Sequence, residues 1–538
     1  MKKIKLLLLA LLLLTSCTST EIVKKSDSNE KNYITENVVE DKLITPGEII
    51  GSLEKEIKKE EKEEILVEEK IVEEKPFKKP QELEEKSPNE KEVLKLKERG
   101  KYAVENFVNL EMLRNSNIGI SIVDLQSGEK IASYNENKSI VPASIMKVIT
   151  SGAALEELGS ETKLKTKLLY DGKIDEKGKL LGNIYIIGGG DPTLGSDGIK
   201  REQTAFMEEW LVKIQKAGIK RVGGDIIVVD NLFGYVGVEE KWLWEDFGTN
   251  YGQGTYGISV FDNLYTLYLN SDEKNVKIVK TVPQIYGLKF ENRLKISPRG
   301  RRDFSVRGLP FENKRVLNGE VPKNSKIVTK SDIPNPGLFL GQYLKSKLKE
   351  KGIGVEGGVK TSRTTGKRPK NPKTLAVTES VTIKEMVKVL LTRSDNHYTE
   401  HLYQLLKLKD VDVEEFWKDK GIDVDALVMC DGSGLSRGDS VSAEILTEVL
   451  VYMYHNYPEF IELLPRGGYQ GTVSDFLEPE VFDGDVRVKS GSMSGIQSYT
   501  GYVEKDGKTL AFTVIVNHWN GNRNRLKDGM EKLIKDLF

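Results

Sequence analysis

The chain has 538 residues, with 81 Lys and Arg against 82 Asp and Glu and a formal net charge of −1. That balance argues against a nucleic-acid binder, because neutralising phosphates takes a surplus of cations. Hydrophobic residues make up 38% of the chain, with 16 Phe, 20 Tyr and 5 Trp, and at roughly 100–200 residues per domain the length exceeds one compact domain and suggests about three.

Lys2, Lys3 and Lys5 precede an apolar run from Leu6 to Leu14, and Thr15-Ser16-Cys17 follows, the pattern of an export signal. The run is shorter than the ~20 residues that cross a bilayer. Leu14-Thr15-Ser16-Cys17 resembles the lipobox of bacterial lipoproteins, which implies removal of residues 1–16, lipidation of Cys17 and anchoring to a membrane. An ordinary signal peptide is the alternative; on either reading the protein is exported and works in the periplasm or on the extracytoplasmic face. The other cysteine, Cys430, is then left without a partner.

Residues 17–90 read as a Lys/Glu-rich, disordered tether, because 29 charged positions between residues 51 and 100 leave too little apolar surface for a core. Order is expected from about residue 91, where Val93, Leu94, Val104 and Val108 suggest a helix. Residues 117–135 read as a hairpin: Ile118, Ile120 and Ile122 alternate with small or polar residues and Gln126-Ser127-Gly128 turns the chain. Ser144 to Leu158 has the pattern of a buried helix stopped by Gly159. The middle, 161–375, is rich in strand signals around Ile184, Ile226 and Val276, with one clear helix from Gly337 to Glu350. After amphipathic segments on both sides of Ser394, the chain ends in two strands across Lys505-Asp506-Gly507-Lys508 and a helix from Arg525. Helix and antiparallel strands at both chain ends suggest one sheet built from both termini, with the middle as an insertion.

Three short patterns carry chemistry. Ser144-x-x-Lys147 puts a hydroxyl and an amine one helical turn apart, so a deprotonated amine can take the serine proton. The same spacing at Ser28, Ser52, Ser271 and Ser346 reads as a solvated face; Ser144 differs by opening an apolar helix, where a buried Lys can be neutral. Ser394-Asp395-Asn396 lies between two helices and can present a hydroxyl and an amide to a cleft, with helix capping as the plainer reading. Lys489-Ser490-Gly491-Ser492 follows the alternating Val486 and Val488; a strand-edge Lys and Ser can hold a carboxylate while backbone N–H groups face an oxyanion. A polar edge strand is the plainer reading there.

The order Ser-x-x-Lys, Ser-x-Asn, Lys-Ser-Gly is that of penicillin-binding proteins and class A β-lactamases. With Gly188-Gly189-Gly190-Asp191-Pro192-Thr193-Leu194, Trp244-Glu245-Asp246-Phe247-Gly248 and Asp431-Gly432-Ser433-Gly434-Leu435-Ser436-Arg437, residues 96–538 resemble the D-alanyl-D-alanine carboxypeptidase/endopeptidase family, the class C low-molecular-mass penicillin-binding proteins of peptidase family S13. The resemblance implies an α+β multidomain fold: a penicillin-binding, β-lactamase-like serine peptidase domain from 91–160 and 376–538, an antiparallel sheet flanked by helices. A large β-rich two-domain insertion, 161–375, would separate the first and second motifs, composed of 161–260 with 335–375 and a nested 261–334. It accounts for the 249 residues between Ser144 and Ser394.

It also implies a serine DD-peptidase that cleaves D-Ala-D-Ala, and D-Ala-containing crosslinks as an endopeptidase, through an acyl-enzyme on Ser144. Lys147 would be the general base, while Ser394, Asn396 and Lys489 move protons and orient the substrate. Ser490, Gly491 and Ser492 would line the substrate, with the backbone N–H groups of Ser144 and Ser492 as the oxyanion hole. Ser490 stands where the family usually has Thr and keeps the hydroxyl. The segment Asp431 to Arg437 is expected to be structural. Partners are peptidoglycan stem peptides, β-lactams as covalent inhibitors, and a membrane through the N-terminal lipid, more readily the outer one in a two-membrane cell; no cofactor and no metal is implied.

Three other readings remain open in the sequence. A β-lactamase-like hydrolase differs only in how fast water removes the acyl group. A non-catalytic wall-binding lipoprotein would keep the fold without turnover. His397-Tyr398-Thr399-Glu400-His401 matches the H-x-x-E-H motif of zinc peptidases, although only two other histidines, His455 and His518, exist. Gly252-x-Gly254-x-x-Gly257 lacks the strand and helix of a dinucleotide site and reads as a loop.

Overall fold

The computed structural model describes residues 90–234 and 236–538; the export segment, Cys17 and the tether up to residue 89 lie outside the described residues. In chain order, helix α1 (Glu90–Val108) leads into the hairpin β1 (Asn117–Asp124) and β2 (Lys130–Tyr134), then α2 (Met146–Ala154). β3 (Lys163–Tyr170), β4 (Ile184–Ile187), α3 (Ala205–Lys216) and β5 (Ile226–Val229) follow. Six strands come next: β6 (Leu264–Ser271), β7 (Val276–Val282), β8 (Lys289–Ile296), β9 (Asp303–Arg307), β10 (Lys314–Val321) and β11 (Lys326–Asp332). α4 (Pro336–Glu350), β12 (Val359–Thr361) and β13 (Lys373–Thr382) lead to α5 (Ile383–Arg393), α6 (Asn396–Leu408) and α7 (Ala443–Asn456). β14 (Asp485–Met493), β15 (Ile496–Lys505), β16 (Lys508–Asn517) and α8 (Arg523–Lys535) close the chain.

Both ends of this body build one antiparallel sheet, in the order β14-β15-β16-β1-β2. β1 joins the two halves, running from Asn117 opposite Asn517 to Asp124 opposite Leu510. Its alternation decides which core each residue enters. Ile118, Ile120 and Ile122 lie with Phe107, Val514, Leu526 and Met530 in a core under α1 and α8. On the opposite face the small Gly119 and Ser121 let α7 approach, with Ala443 against Gly119 and Ser121 Oγ donating to Glu444. Beyond them a helical core gathers Ile149, Met386, Leu390, Tyr398, Trp417 and Leu446. The β15–β16 turn takes positive φ at Asp506 and Gly507, the conformation the Asp-Gly pair favours in a two-residue hairpin.

The chain between β2 and α5 is mostly strand. It forms a mixed sheet, β12-β5-β4-β3-β13, a small four-stranded sheet, and two three-stranded sheets, β7-β6-β11 and β8-β10-β9. Their shared core, with Trp210, Tyr265, Leu317 and Phe339, is separate from the two above. The α+β class, the flanked antiparallel sheet and the β-rich insertion between the first two motifs are therefore as expected.

Local differences have local causes. In α1 the expected Val104 is buried with Leu96, Ala103 and Phe107, Val93 and Val108 are half-buried, and only Leu94 of the expected positions is exposed. The helix expected from Ser144 begins as a 3-10 turn over Ala143–Ile145, becomes α over α2 and ends in a π turn at Leu155–Gly159. No helix among the described residues is long and apolar enough to cross a membrane.

Trp417, on the short helix Val413–Asp419, is fully buried against Gly152 of α2 and donates from Nε1 to Ile149 O at 3.3 Å. Trp417→Ala is expected to cost about 3–5 kcal/mol, read as a lower urea midpoint with an unchanged denaturant slope.

Candidate active site

The first two sequence motifs meet at Lys147. Its side chain is fully buried, and Nζ lies 3.0 Å from Ser144 Oγ, 2.6 Å from Asn396 Oδ1 and 2.7 Å from Ser433 O. Burial lowers its pKa to about 8, against the opposing pull of Asp431, Glu400, Asp395 and Asp439. Helical spacing places Lys147 one turn beyond Ser144, and the 3-10 turn lifts the serine clear of the helix axis. That turn is entered through Ala143 at φ 55, an uncommon backbone state for a residue with a Cβ.

Ser394 ends α5 in the left-handed region at φ 57, and Asp395 caps α6 by accepting from Tyr398 N at 3.1 Å. The sharp turn aims Ser394 at the third motif: Lys489 Nζ, fully buried on β14, donates to Ser394 Oγ at 2.9 Å. Burial, and then the nearby Lys147, hold the Lys489 amine well below the usual lysine range. Ser490 Oγ is 2.8 Å from Thr472 Oγ1, and Ser492 is exposed beside the turn that holds Ser144.

Two glycines allow the elements to close. A Cβ on Gly491 would stand 2.2 Å from Ser498 Oγ and 2.7 Å from Pro142 O, so β14 can reach the Ser144 turn only without a side chain there. Gly434, at φ +78, would place a Cβ 2.0 Å from Ala143 O. The structure thus brings Ser144, Lys147, Ser394, Asn396, Lys489 and Ser490 into one cleft, with Gly491 against the turn and Ser492 at its rim.

Behind Lys147 lies a carboxylate scaffold made of Asp431, from the segment expected to be structural, and Glu400, from the H-x-x-E-H pattern. Asp431 accepts from Ser433 N and Gly434 N through Oδ1, and from Ser436 N and Trp242 Nε1 through Oδ2, at 2.6–2.9 Å. Glu400 accepts from Gly432 N at 3.2 Å and Ser433 N at 2.8 Å. Together they fix the Ser433 carbonyl that receives the lysine. Burial first, and then Asp431, push the Glu400 carboxyl well above the usual range and that of Asp439 up to about 10. An aspartate followed by Gly-Ser-Gly was the available signal, since such a run readily turns its N–H groups onto the carboxylate. The contact of Asn396 Nδ2 with Tyr251 O, at 2.8 Å, had no signal, because a backbone carbonyl 145 positions away leaves none.

The H-x-x-E-H pattern resolves into packing. His401 Nε2 lies 2.8 Å from Ser259 Oγ, and His401 Nδ1 lies 2.7 Å from His397 O. Burial lowers the His397 pKa to about 3 and keeps His401 well below the usual range, so both rings are neutral. Glu400 is spent on the Gly432 and Ser433 amides, and no group of three or more His, Cys, Asp or Glu set to hold a metal occurs among the described residues. The Gly252–Gly257 stretch is an irregular loop, and Cys430 is a free thiol.

The family model described as "D-Ala-D-Ala carboxypeptidase 3 (S13) family" matches residues 101–537. The chain is 25% identical over 429 residues to the D-alanyl-D-alanine carboxypeptidase DacB of Haemophilus influenzae, covering 75% of this chain and 86% of that one. It is 24% identical to a D-alanyl-D-alanine carboxypeptidase of Actinomadura sp., covering 75% and 78%. The crystal structure of penicillin binding protein 4 from Haemophilus influenzae superposes with a TM-score of 0.68 at 22% identity, over 81% of this chain and 98% of that one.

Asp431 is the strongest of the charges that raise the Lys147 pKa. Asp431→Asn is therefore expected to move the acid limb of Ser144 acylation by a penicillin to lower pH. Its maximal rate should fall about tenfold or more as the Ser433 carbonyl loses its anchor, an effect of 1.4 kcal/mol or more. A stopped-flow pH profile separates the two effects.

Proposed function

Because the chain belongs to the D-Ala-D-Ala carboxypeptidase 3 (S13) family, we propose that the cleft is the active site of a serine DD-peptidase acting on peptidoglycan stem peptides. The observation that carries this reading is the convergence of the three motifs, with Lys147 Nζ against both Ser144 Oγ and Asn396 Oδ1, and Lys489 Nζ against Ser394 Oγ.

The terminal carboxylate of a D-Ala-D-Ala peptide docks at Ser490 and Lys489, neighbours in sequence on β14. That negative charge draws a proton onto Lys489, and the resulting cation disfavours a second one on Lys147. Neutral Lys147 then accepts the Ser144 proton as Oγ attacks the carbonyl of the penultimate D-Ala. The oxyanion that forms faces the backbone N–H groups of Ser144 and Ser492. As the C–N bond breaks, the leaving D-Ala nitrogen takes its proton through Ser394, which Lys489 replenishes. Once D-Ala has left, the proton held by Lys147 passes to Lys489, which leaves Lys147 neutral again. Water then adds to the ester as Lys147 takes its proton, and that proton goes to Ser144 Oγ as the ester C–O bond breaks and the acid is released. Asn396 positions both Lys147 and the substrate backbone.

The same acylation accounts for covalent capture of β-lactams, and a D-Ala-containing crosslink offers the same bond for endopeptidase cleavage. A β-lactamase-like turnover differs only in the deacylation rate. Extracytoplasmic action fits a cell-wall substrate, and the Cys17 lipobox supplies the proposed membrane anchor.

The test is acylation of the full chain by a fluorescent penicillin. The parent should label and Ser144→Ala should not, while Lys147→Ala should slow labelling by about 10²–10⁴-fold. Lys147 is protonated, and so unable to accept, below its pKa of about 8. The rate should therefore rise about tenfold per pH unit up to that point and then level. A chelator should change nothing; loss of peptide hydrolysis on chelation would transfer the activity to His397, Glu400 and His401.

A further inference from the structure

Charge is unevenly spread over this nearly neutral chain. Between Leu264 and Asp332 there are fifteen Lys and Arg against seven Asp and Glu, while the whole chain carries −1. The register of β7-β6-β11 places much of this excess on one face. Leu267, Leu269 and Ile327 point into the core. The opposite face forms three cross-strand rows: Lys277, Asn270 and Lys326; Lys280, Tyr268 and Val328; Val282, Thr266 and Lys330. A bulge between Ile278 and Lys280 turns Lys280 to the side of Lys277, and Lys280 Nζ stands 5.1 Å from the centroid of the Tyr268 ring. Arg302 adds a fifth cation at the edge, donating to Val328 O at 2.6 Å.

None of these nine positions is acidic. Of their four lysines, only Lys330 pairs with a carboxylate among the described residues, Asp197 at 2.8 Å. An ordinary solvated strand face intersperses both signs, because like charges side by side repel. Four lysines around a half-buried tyrosine instead match a polymer that carries sugar rings and carboxylates, the ring stacking on the open part of Tyr268 and the anions meeting the lysines.

We infer that this face is a second, non-catalytic contact for peptidoglycan, which holds the polymer through its stem-peptide carboxylates and sugar rings. The inference rests on the DD-peptidase reading for the identity of the polymer. A stem peptide outside a crosslink ends in a carboxylate before and after the terminal residue is removed, so the contact persists through turnover. It raises the effective concentration of further stem peptides at Ser144 without touching the bond that is cut.

The test is co-sedimentation of the full chain, its active site blocked by prior penicillin acylation, with purified peptidoglycan, both stripped of phosphate-bearing wall polymers and carrying them. The acylated parent should sediment with stripped peptidoglycan and lose about tenfold in affinity between about 50 and about 300 mM salt. Charge reversal at Lys277, Lys280 and Lys326 to Glu should weaken binding about tenfold or more, and the milder Lys→Gln triple should weaken it in part. Both triples should keep the parental rate of penicillin acylation, which also reports that they fold. The same reversal at Lys213, Lys216 and Lys220, on and just beyond α3, should leave binding intact. Parental binding by the Lys277/Lys280/Lys326 triple, equal loss in the α3 control, or binding only when phosphate polymers are present would each overturn the inference. A parent that fails to acylate would sink the DD-peptidase reading instead, and sedimentation of the unacylated chain would still decide this one.

Discussion

The structure depends on keeping an amine out of water at Lys147. A lysine with no exposed surface is costly as a cation, and the cost is what makes it usable as a base near neutrality. Burial alone would carry the pKa far lower. The negative charge behind it, that of Asp431 first, opposes burial and leaves the pKa at about 8. Every nearby element serves that balance: α2 supplies the lysine, α6 supplies Asn396 and Glu400, and the Asp431–Arg437 turn supplies the accepting carbonyl of Ser433. Removing any one of them would leave a buried polar group unpaired, which costs about 1–3 kcal/mol.

The insertion between the first two motifs takes part in this arrangement. Trp242 donates to Asp431, and the Tyr251 carbonyl accepts from Asn396, so the same chain that builds the outer sheets also finishes the site. Gln404 of α6 donates to Glu239 from the same stretch, and Ser259 meets His401. The two neutral histidines are buried where the Gly252–Asn263 loop lies on α6, which explains why an apparent zinc motif is present without zinc geometry. The insertion therefore reaches the surroundings of Lys147 at two points, Tyr251 against Asn396 and Trp242 against Asp431.

Sequence patterns disclosed the parts of this site that are side chains at short spacing. Ser144 and Lys147 lie one helical turn apart, Ser394 and Asn396 flank a helix cap, and Lys489 precedes the glycine that lets β14 approach. The hairpins and α4 were equally legible, because strand alternation, Asp-Gly and the leucine spacing of Gly337 to Glu350 act locally. Long-range backbone partners were not. The carbonyls of Tyr251 and Ser433 have no residue type of their own, and the 3-10 turn at Ala143 is imposed by the approach of Gly434 and Gly491, which lie 291 and 348 positions further along the chain. Glu400 was visible but misread, since a helical H-x-x-E-H pattern places Glu on a face that here meets a loop from a distant part of the sequence.

The two lysines together explain why the resting site is poised and not already reactive. Both amines are buried, and each disfavours a proton on the other. The carboxylates stand behind Lys147, while Lys489 has burial and Lys147 acting against its charge, so in the empty cleft a single shared proton favours the Lys147 side. A protonated Lys147 cannot activate Ser144. On the proposed mechanism, a substrate carboxylate docked at Ser490 would favour the proton on Lys489, which is next to Ser490 in the chain. Activation of the nucleophile is then linked to occupancy by a peptide with a free C-terminal carboxylate, and a ligand lacking that group would bind beside a serine whose base is still occupied by a proton. On this electrostatic reading, preference for a ligand with a carboxylate beside the bond that is cut is built into the distribution of charge around Ser144 and Lys147.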